Sequence, residues 1–246
     1  MTIKVAVVGA TGRMGKLALD LIDAAQDLTL HAALDSKSEL SQVLGADVVF
    51  DVTLPEVSPR VVEYCVANGL KVVVGTSGWS AAKLAQVEKQ LESAPETASV
   101  IVIPNFSIGS MLATKFAAEA ATYFDSFEII EAHHAGKIDS PSGTAVRTAE
   151  LMSAARLAAG KVQPLIPGVG QEARGQVVAG VPVHSLRLVG VSAKQEILFG
   201  GDSEVLSISH DVSSTRAYIG GILLCLRKAI SSKGLVVGLQ AVVEGN

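Results

Sequence analysis

The amino-acid sequence predicts an α/β protein in which a doubly wound parallel sheet precedes a second α+β domain built on an open mixed or antiparallel sheet. Three observations carry this reading. As far as residue 106, uninterrupted apolar runs alternate with segments of helical spacing, the pattern of parallel strands buried on both faces and joined by crossover helices. After residue 180, apolar and polar residues alternate singly, as they do in antiparallel strands with one solvated face. Between the first strand and the first helix lies a glycine-rich turn.

The first strand is Ile3 to Val8, and the helical run KLALDLIDAAQ follows a turn containing Gly9, Ala10, Thr11, Gly12, Arg13 and Met14. Glycines at such a turn let the backbone approach a pyrophosphate at the helix N-terminus, so these six residues are candidate cofactor ligands of a Rossmann-like domain. The next strand, LTLHAALD, ends in Asp35, about twenty residues past the loop, where an acid binds ribose hydroxyls. A tight turn and a solvated strand end are the plainer alternatives, but the order of strand, glycines, helix and acid favours a cofactor. Strands at Ala46 to Thr53, Leu70 to Gly78 and Ser99 to Phe106 alternate with helices at Ser58 to Asn68 and Ala81 to Leu91. Right-handed crossovers bring the carboxyl ends of all these strands to one edge. Gly75, Thr76 and Ser77, with Ile103, Pro104, Asn105 and Phe106, therefore join the cofactor candidates, although Phe106 alone could be core. Asp35 suits NADH, while Arg13, Ser36 and Lys37 offer partners to the 2′-phosphate of NADPH, and use of both is expected.

Beyond Asn105 the pattern changes. Gly109 to Tyr123 reads as a helix and SFEIIEAHH as a strand, which leads into EAHHAGKIDSPSGTA, Glu131 to Ala145. His133 and His134 are adjacent, so on a strand they point to opposite sides, and one could face a substrate while the other braces it. Ser140, Pro141, Ser142, Gly143 and Thr144 open a helix running to about Gly160, and its free N–H groups and dipole make an anion site. Lys137 beside it suits a carboxylate or phosphate, and a histidine titrates near neutral pH. A capping turn with two surface histidines is the alternative for each residue singly, and their coincidence favours function. Residues 161 to 180, rich in Gly, Pro and Gln, read as a long mobile loop. VPVHSLRLV, QEILFGG and SEVLSISHD read as antiparallel strands, with His184 and His210 as hydrogen-bonded sheet histidines and Arg187 on the face of His184, within reach of an anion. Ala217 to Ser231 reads as a helix and LVVGLQAVV as a short strand returning to the first domain. The domains predicted are residues 1–107 with 217–246, and residues 108–216.

Composition excludes several classes. With 49% hydrophobic residues the chain can bury a sizeable core, and with a net charge of -4 and no basic cluster it has no nucleic-acid footprint. No apolar stretch approaches the length of a membrane span, and the opening MTIKVAVVGATG lacks the features of a signal peptide, so a cytoplasmic location and no membrane partner are expected. Cys65 and Cys225 read as buried thiols, and no Cys or His spacing suggests a metal.

The stretch EAHHAGKIDSPSGTA closely resembles the signature of the 4-hydroxy-tetrahydrodipicolinate reductase family, and GATGRMG, GTSGW, PNFSIG, GVPVHSLR and HDVSSTR extend the resemblance along nearly the whole chain. The resemblance implies that His133 gives or takes a proton, that Lys137 is a second proton donor, and that His134, Gly143 and Thr144 contact a small dicarboxylate heterocycle. It also implies a cofactor on Gly9 to Met14, Asp35, Gly75 to Ser77 and Ile103 to Phe106, and a homotetramer assembled through the second domain. Against the family pattern, Ser77 stands for a threonine, Ile103 for an alanine, and Thr215 for an arginine, whose role is not assigned to Arg216. Two other functions share the first domain: a dehydrogenase for another amino-acid-derived imine or aldehyde, and a non-catalytic nucleotide sensor. The pairing of His133 with Lys137 speaks against both.

Overall fold

A computed structural model describes residues 2–168 and 170–245 and divides the chain into two compact units, Met1–Ile108 with Tyr218–Asn246, and Gly109–Ala217. The first unit contains β1 (Ile3–Val8), α1 (Arg13–Ala24), β2 (Leu28–Leu34), β3 (Val48–Asp51), α2 (Ser58–Ala67), β4 (Lys71–Val74), α3 (Ala81–Glu92) and β5 (Ser99–Val102). Five strands pair in parallel, with order β5-β4-β3-β1-β2. Val5, Ala6 and Val7 of β1 and Val72, Val73 and Val74 of β4 have no exposed surface, which is why these strands read as continuous apolar runs. The chain passes from β1 to β2 on one side and continues through β3 on the other. The topological switch therefore falls beside β1, whose carboxyl end carries the glycine turn.

The second unit contains α4 (Ile108–Ala120, beginning one residue before the unit boundary), β6 (Ser126–His134), α5 (Gly143–Ala158), β7 (Gln176–Val178), β8 (Val181–Leu188), β9 (Ala193–Gly201) and β10 (Glu204–Val212). Its sheet has the order β10-β9-β6-β8-β7, and only β6 and β8 pair in parallel. One face buries Phe127, Ile129, Val183, Ile197 and Phe199 against Ala145, Ala149 and Met152 of α5. The other face presents Leu186, Leu188 and Val205 to solvent. Arg156 of α5, only 2% exposed, donates to the carbonyls of Ala121 and Phe124 at 2.6 Å each and to Val162 O at 2.7 Å. It thereby satisfies carbonyls of the turn that follows α4 and of the segment after α5, and its guanidinium lies 5.4 Å from the centre of the Phe127 ring.

After α6 (Ile219–Ala229) the chain adds β11 (Gly234–Val237) beside β5, completing six parallel strands, and ends in α7 (Leu239–Glu244). Two expectations are corrected. LVVGLQAVV is not one strand: Val237 pairs with Val102, the last residue of β5, and Gly238 then leaves the sheet with φ +92°. With no partner beyond that point, Leu239 and Val242 are buried at helical spacing instead. The stretch 161–180, expected to be loop throughout, contains a 3₁₀ turn at Glu172–Arg174 and the edge strand β7, while residue 169 lies outside the described residues. Ala179 and Gly180, with φ of 48° and 82°, make the two-residue turn joining β7 to β8, a left-handed pair usually signalled by Asn-Gly.

Replacing Arg156 with Met should keep the packing over Phe127 but leave the three carbonyls without their donor. A loss of about 3 kcal/mol is expected, since hydrogen bonds to a charged group contribute roughly 1.5–3 kcal/mol each and relaxation recovers part. Urea unfolding followed by circular dichroism measures it.

Candidate active site

At the carboxyl edge of the first sheet the glycines separate into two kinds. A Cβ on Gly9 would lie 2.7 Å from Val52 O, with φ at +90°, and one on Gly15 would lie 2.2 Å from Gly9 O. The fold itself requires both. Gly12 has an ordinary φ of -73°, and a Cβ there would meet only Gly9 O, at 3.3 Å. Its bareness therefore leaves space at the N-terminus of α1, which has no side-chain cap. Thr11, Gly12 and Arg13 are exposed there, Met14 is half-buried and Ala10 is buried. An anion with a flat polar edge, such as a pyrophosphate, fits this surface.

Asp35 follows β2, exposed, with Oδ1 accepting from Lys37 N at 2.9 Å and Ser38 Oγ at 2.9 Å. These bonds, the Lys37 N–H foremost, hold its carboxyl below the usual range and keep it ionised, a hydrogen-bond acceptor at the edge of the sheet. Gly75 packs under the Phe106 ring, where a Cβ would lie 2.8 Å from Cε2, and Thr76 Oγ1 donates to Thr53 O at 3.1 Å. Ser77 and Pro104 are exposed, whereas the side chains of Ile103 and Phe106 enter the core, Phe106 edge-on to Phe50. Asn105 Oδ1 accepts from Ser107 N at 2.9 Å. Sequence reasoning missed Asp51, which is fully buried and accepts from Thr53 N, Thr53 Oγ1 and Ser58 Oγ. Burial pushes its carboxyl up, and its bonds shape the loop on which Thr76 rests.

In the second unit, Glu131 and His133 project from β6 to the face covered by α5. Glu131 has no exposed surface, and His133 Nδ1 lies 2.6 Å from its Oε2. Arg187 of β8 grips both oxygens of the same carboxylate, Nη1 to Oε2 and Nη2 to Oε1 at 3.0 Å each. Ser142, the N-cap of α5, donates its N–H to Oε1 at 3.2 Å and accepts from Ala145 N at 3.3 Å. Burial pushes the Glu131 carboxyl up, but Arg187, Ser185 and His133 together bring it below the ordinary glutamate value. Lys137 follows in the turn after β6, its N–H donating to His134 O at 3.0 Å and its Nζ meeting both oxygens of Asp139 at 2.7 Å. That contact holds the Asp139 carboxyl low.

The remaining candidates fall near this cluster with one correction. His134 is exposed at the end of β6, on the face opposite His133. Gly143 opens α5 with nothing within 4 Å of a Cβ, so it is not required by the chain, and Thr144 follows half-buried. Arg187 does not share the face of His184, because residues three apart on a strand project oppositely. His184 Nε2 instead meets Glu128 Oε2 at 2.6 Å, and the anion that Arg187 reaches is the protein's own Glu131. Glu131, Asp139 and the buried Gln195, whose Nε2 donates to Thr148 Oγ1 at 3.0 Å, are members of the cluster that the sequence does not single out. Among the described residues no group of three or more His, Cys, Asp or Glu is placed to hold a metal.

A parallel sheet with an uncapped glycine turn at its switch point, joined in one chain to a unit bearing a carboxylate-backed histidine and a lysine, defines a two-domain dinucleotide-dependent oxidoreductase. The family models for dihydrodipicolinate reductase match residues 3–106 (N-terminus) and 109–243 (C-terminus). The chain belongs to the dihydrodipicolinate reductase family. It is 57% identical over 244 residues to the 4-hydroxy-tetrahydrodipicolinate reductase of Clavibacter michiganensis, covering 99% of this chain and 87% of that one. It is 44% identical to the enzyme of the same name from Streptomyces griseus, covering 99% of both. A dipicolinate-bound dihydrodipicolinate reductase from Paenisporosarcina sp. TG-14 superposes with a TM-score of 0.84 at 32% identity, covering 98% of this chain and 99% of that one.

The electrostatics of Glu131 predict an acid limit to stability. Because its folded carboxyl value lies below the unfolded one, its contribution is complete above about pH 4.3 and is lost as pH falls through the folded value. Urea unfolding between pH 6 and pH 3 should show stability declining with acid, and Glu131→Gln should make that decline shallower.

Proposed function

We propose that the cluster around Glu131 is the active centre of an NAD(P)H-dependent 4-hydroxy-tetrahydrodipicolinate reductase, with His133 and Lys137 as its proton-transfer groups. The reaction yields tetrahydrodipicolinate, on the route to diaminopimelate and lysine. The observation that carries the residue roles is the contact of His133 Nδ1 with a fully buried carboxylate, which leaves Nε2 as the nitrogen that exchanges protons with a ligand.

The substrate is a cyclic imine with two carboxylates, and the dicarboxylate bound by the Paenisporosarcina relative supports a site of that chemistry. Gly143 and Thr144 offer N–H groups at the start of α5 to one carboxylate, and His134 and Lys137 complete the contacts. Lys137 exchanges Asp139 for the substrate and protonates the departing 4-hydroxyl, which leaves as water. His133 takes the proton from the ring carbon beside the imine, so that the new double bond is conjugated with C=N. When bound, the reduced nicotinamide supplies the hydride that ring carbon 4 accepts. His133 then returns its proton to the carbon beside the former imine, and Lys137 is reprotonated from solvent.

Gly9, Ala10, Thr11, Gly12, Arg13 and Met14 would hold the pyrophosphate, and Asp35 the ribose. Gly75, Thr76 and Ser77, with Pro104 and Asn105, would line the carboxyl edge, where Ile103 and Phe106 serve through their backbone. Arg13 and Lys37 make NADPH acceptable beside NADH. The exposed leucines on the open face of the second sheet support assembly with further copies into a homotetramer. A cytoplasmic location accords with two buried free thiols and with described helices too short and polar to cross a membrane.

His133→Gln should lower kcat by about 10² to 10⁴ with little change in KM, the mark of an interaction made in the transition state. Lys137→Ala should damage both constants, with KM rising by about one to two decades for the lost charged contact. Steady-state kinetics on the folded variants decide, and near-wild-type constants in both would remove the assignment. Gly12→Val, at a φ of -73° that any residue adopts, should abolish reduced-cofactor binding in calorimetry while leaving the circular dichroism spectrum unchanged.

A further inference from the structure

We infer that Glu131 and Arg187 are positioning residues for this reaction, the glutamate orienting His133 and the arginine orienting the turn that carries Lys137, through one buried ion pair. The inference rests on the proton-transfer roles of His133 and Lys137 proposed above. An ionised carboxylate has about four acceptor sites. Here Oε1 takes Arg187 Nη2 and Ser142 N–H, Oε2 takes Arg187 Nη1 and His133 Nδ1, and the Ser185 side chain bonds the same carboxylate, so the group has no freedom left to rotate. The ring of His133 is fixed in tautomer and plane as a consequence.

Arg187 extends the same frame to the lysine. Its Nη2 also donates to Asp139 O at 2.6 Å and its Nε to Lys137 O at 3.2 Å, pinning the backbone on both sides of Ile138. The register of β6 and β8, which sets His133 beside Arg187, makes both reaches possible. Stability alone does not account for such an arrangement, since apolar replacements of buried ion pairs are often neutral or stabilising. The plane of this pair fixes three things at once: an imidazole, the turn bearing an ammonium group, and the N-cap of α5.

A double-mutant cycle tests it, with kcat and KM measured for His133→Gln, Glu131→Gln, the double variant and Arg187→Lys. Glu131→Gln should lower kcat by about 10- to 100-fold, part of the proton-transfer contribution, with KM for the heterocycle nearly unchanged. In the His133→Gln background the same change should alter kcat by less than about twofold, because the group it acts through is gone. Arg187→Lys, which keeps a charge beside Glu131 but loses the fork to the Lys137 turn, should chiefly raise KM. Equal effects of Glu131→Gln in both backgrounds, or a kcat near wild type in the single variant, would overturn the inference. A near-wild-type kcat for His133→Gln alone would instead overturn the role of His133, so the two failures are distinct. Should Glu131→Gln not fold, Glu131→Asp keeps the charge and shortens the reach to His133, and the same cycle built on it supports or overturns the inference by the same criteria.

Discussion

A carboxylate with no exposed surface remains ionised only when donors meet its lone pairs, and much of the second unit is arranged to meet this condition for Glu131. The arginine must come from a strand paired with β6 in a fixed register, since a slip of one residue would turn Arg187 to the other face and bring Leu186 or Leu188 into its place. The N-terminus of α5 must fall beside the strand end, because Ser142 supplies this carboxylate with a backbone donor, its N–H to Oε1. The parallel pairing of β6 with β8, in a sheet otherwise antiparallel, and the entry of α5 are thus tied to one charge. Arg156 does a comparable job at the far end of α5, where it gathers carbonyls of the turn between α4 and β6.

The two units do their work with different parts of the polypeptide. In the first, the features that suit a dinucleotide are mostly backbone: an uncapped helix end, glycines at close approaches and carbonyl edges, with Asp35 as the main charged group. A pyrophosphate is recognised well by N–H groups alone, so little side-chain chemistry is needed there. In the second unit the features are side chains in a hydrogen-bonded network, which suits the proposed proton transfer, since that demands groups that titrate.

This difference governs what is legible in the sequence. The parallel sheet is legible because both faces of its strands are buried, and the glycine turn because chain geometry forces glycine at positions 9 and 15. His133 and Lys137 are legible as residue types that carry chemistry. Glu131 stands two residues before His133, and period-two spacing already places it on the same face, yet its partner Arg187 lies 56 residues away and only strand register joins them. The same period, counted correctly, separates Arg187 from His184, contrary to the shared face expected of them. The β7 hairpin is hidden because Ala-Gly is a weak form of the left-handed turn, and α7 because a short apolar run reads equally as strand or helix until its sheet partner is known to end.

Gly143 differs from the other glycines of the two sites in that nothing in the folded chain lies within 4 Å of a Cβ there. A methyl group at this position would restrict the unfolded chain and improve the first turn of α5, a gain of about 0.4–1 kcal/mol by ordinary experience with Gly→Ala changes. Any effort to raise the thermal tolerance of this protein through propensity or rigidity would therefore choose this position early. It is one to leave alone, because the surface it exposes is where, in the proposed reading, a carboxylate would rest, and a more robust protein obtained that way would be a poorer reductase.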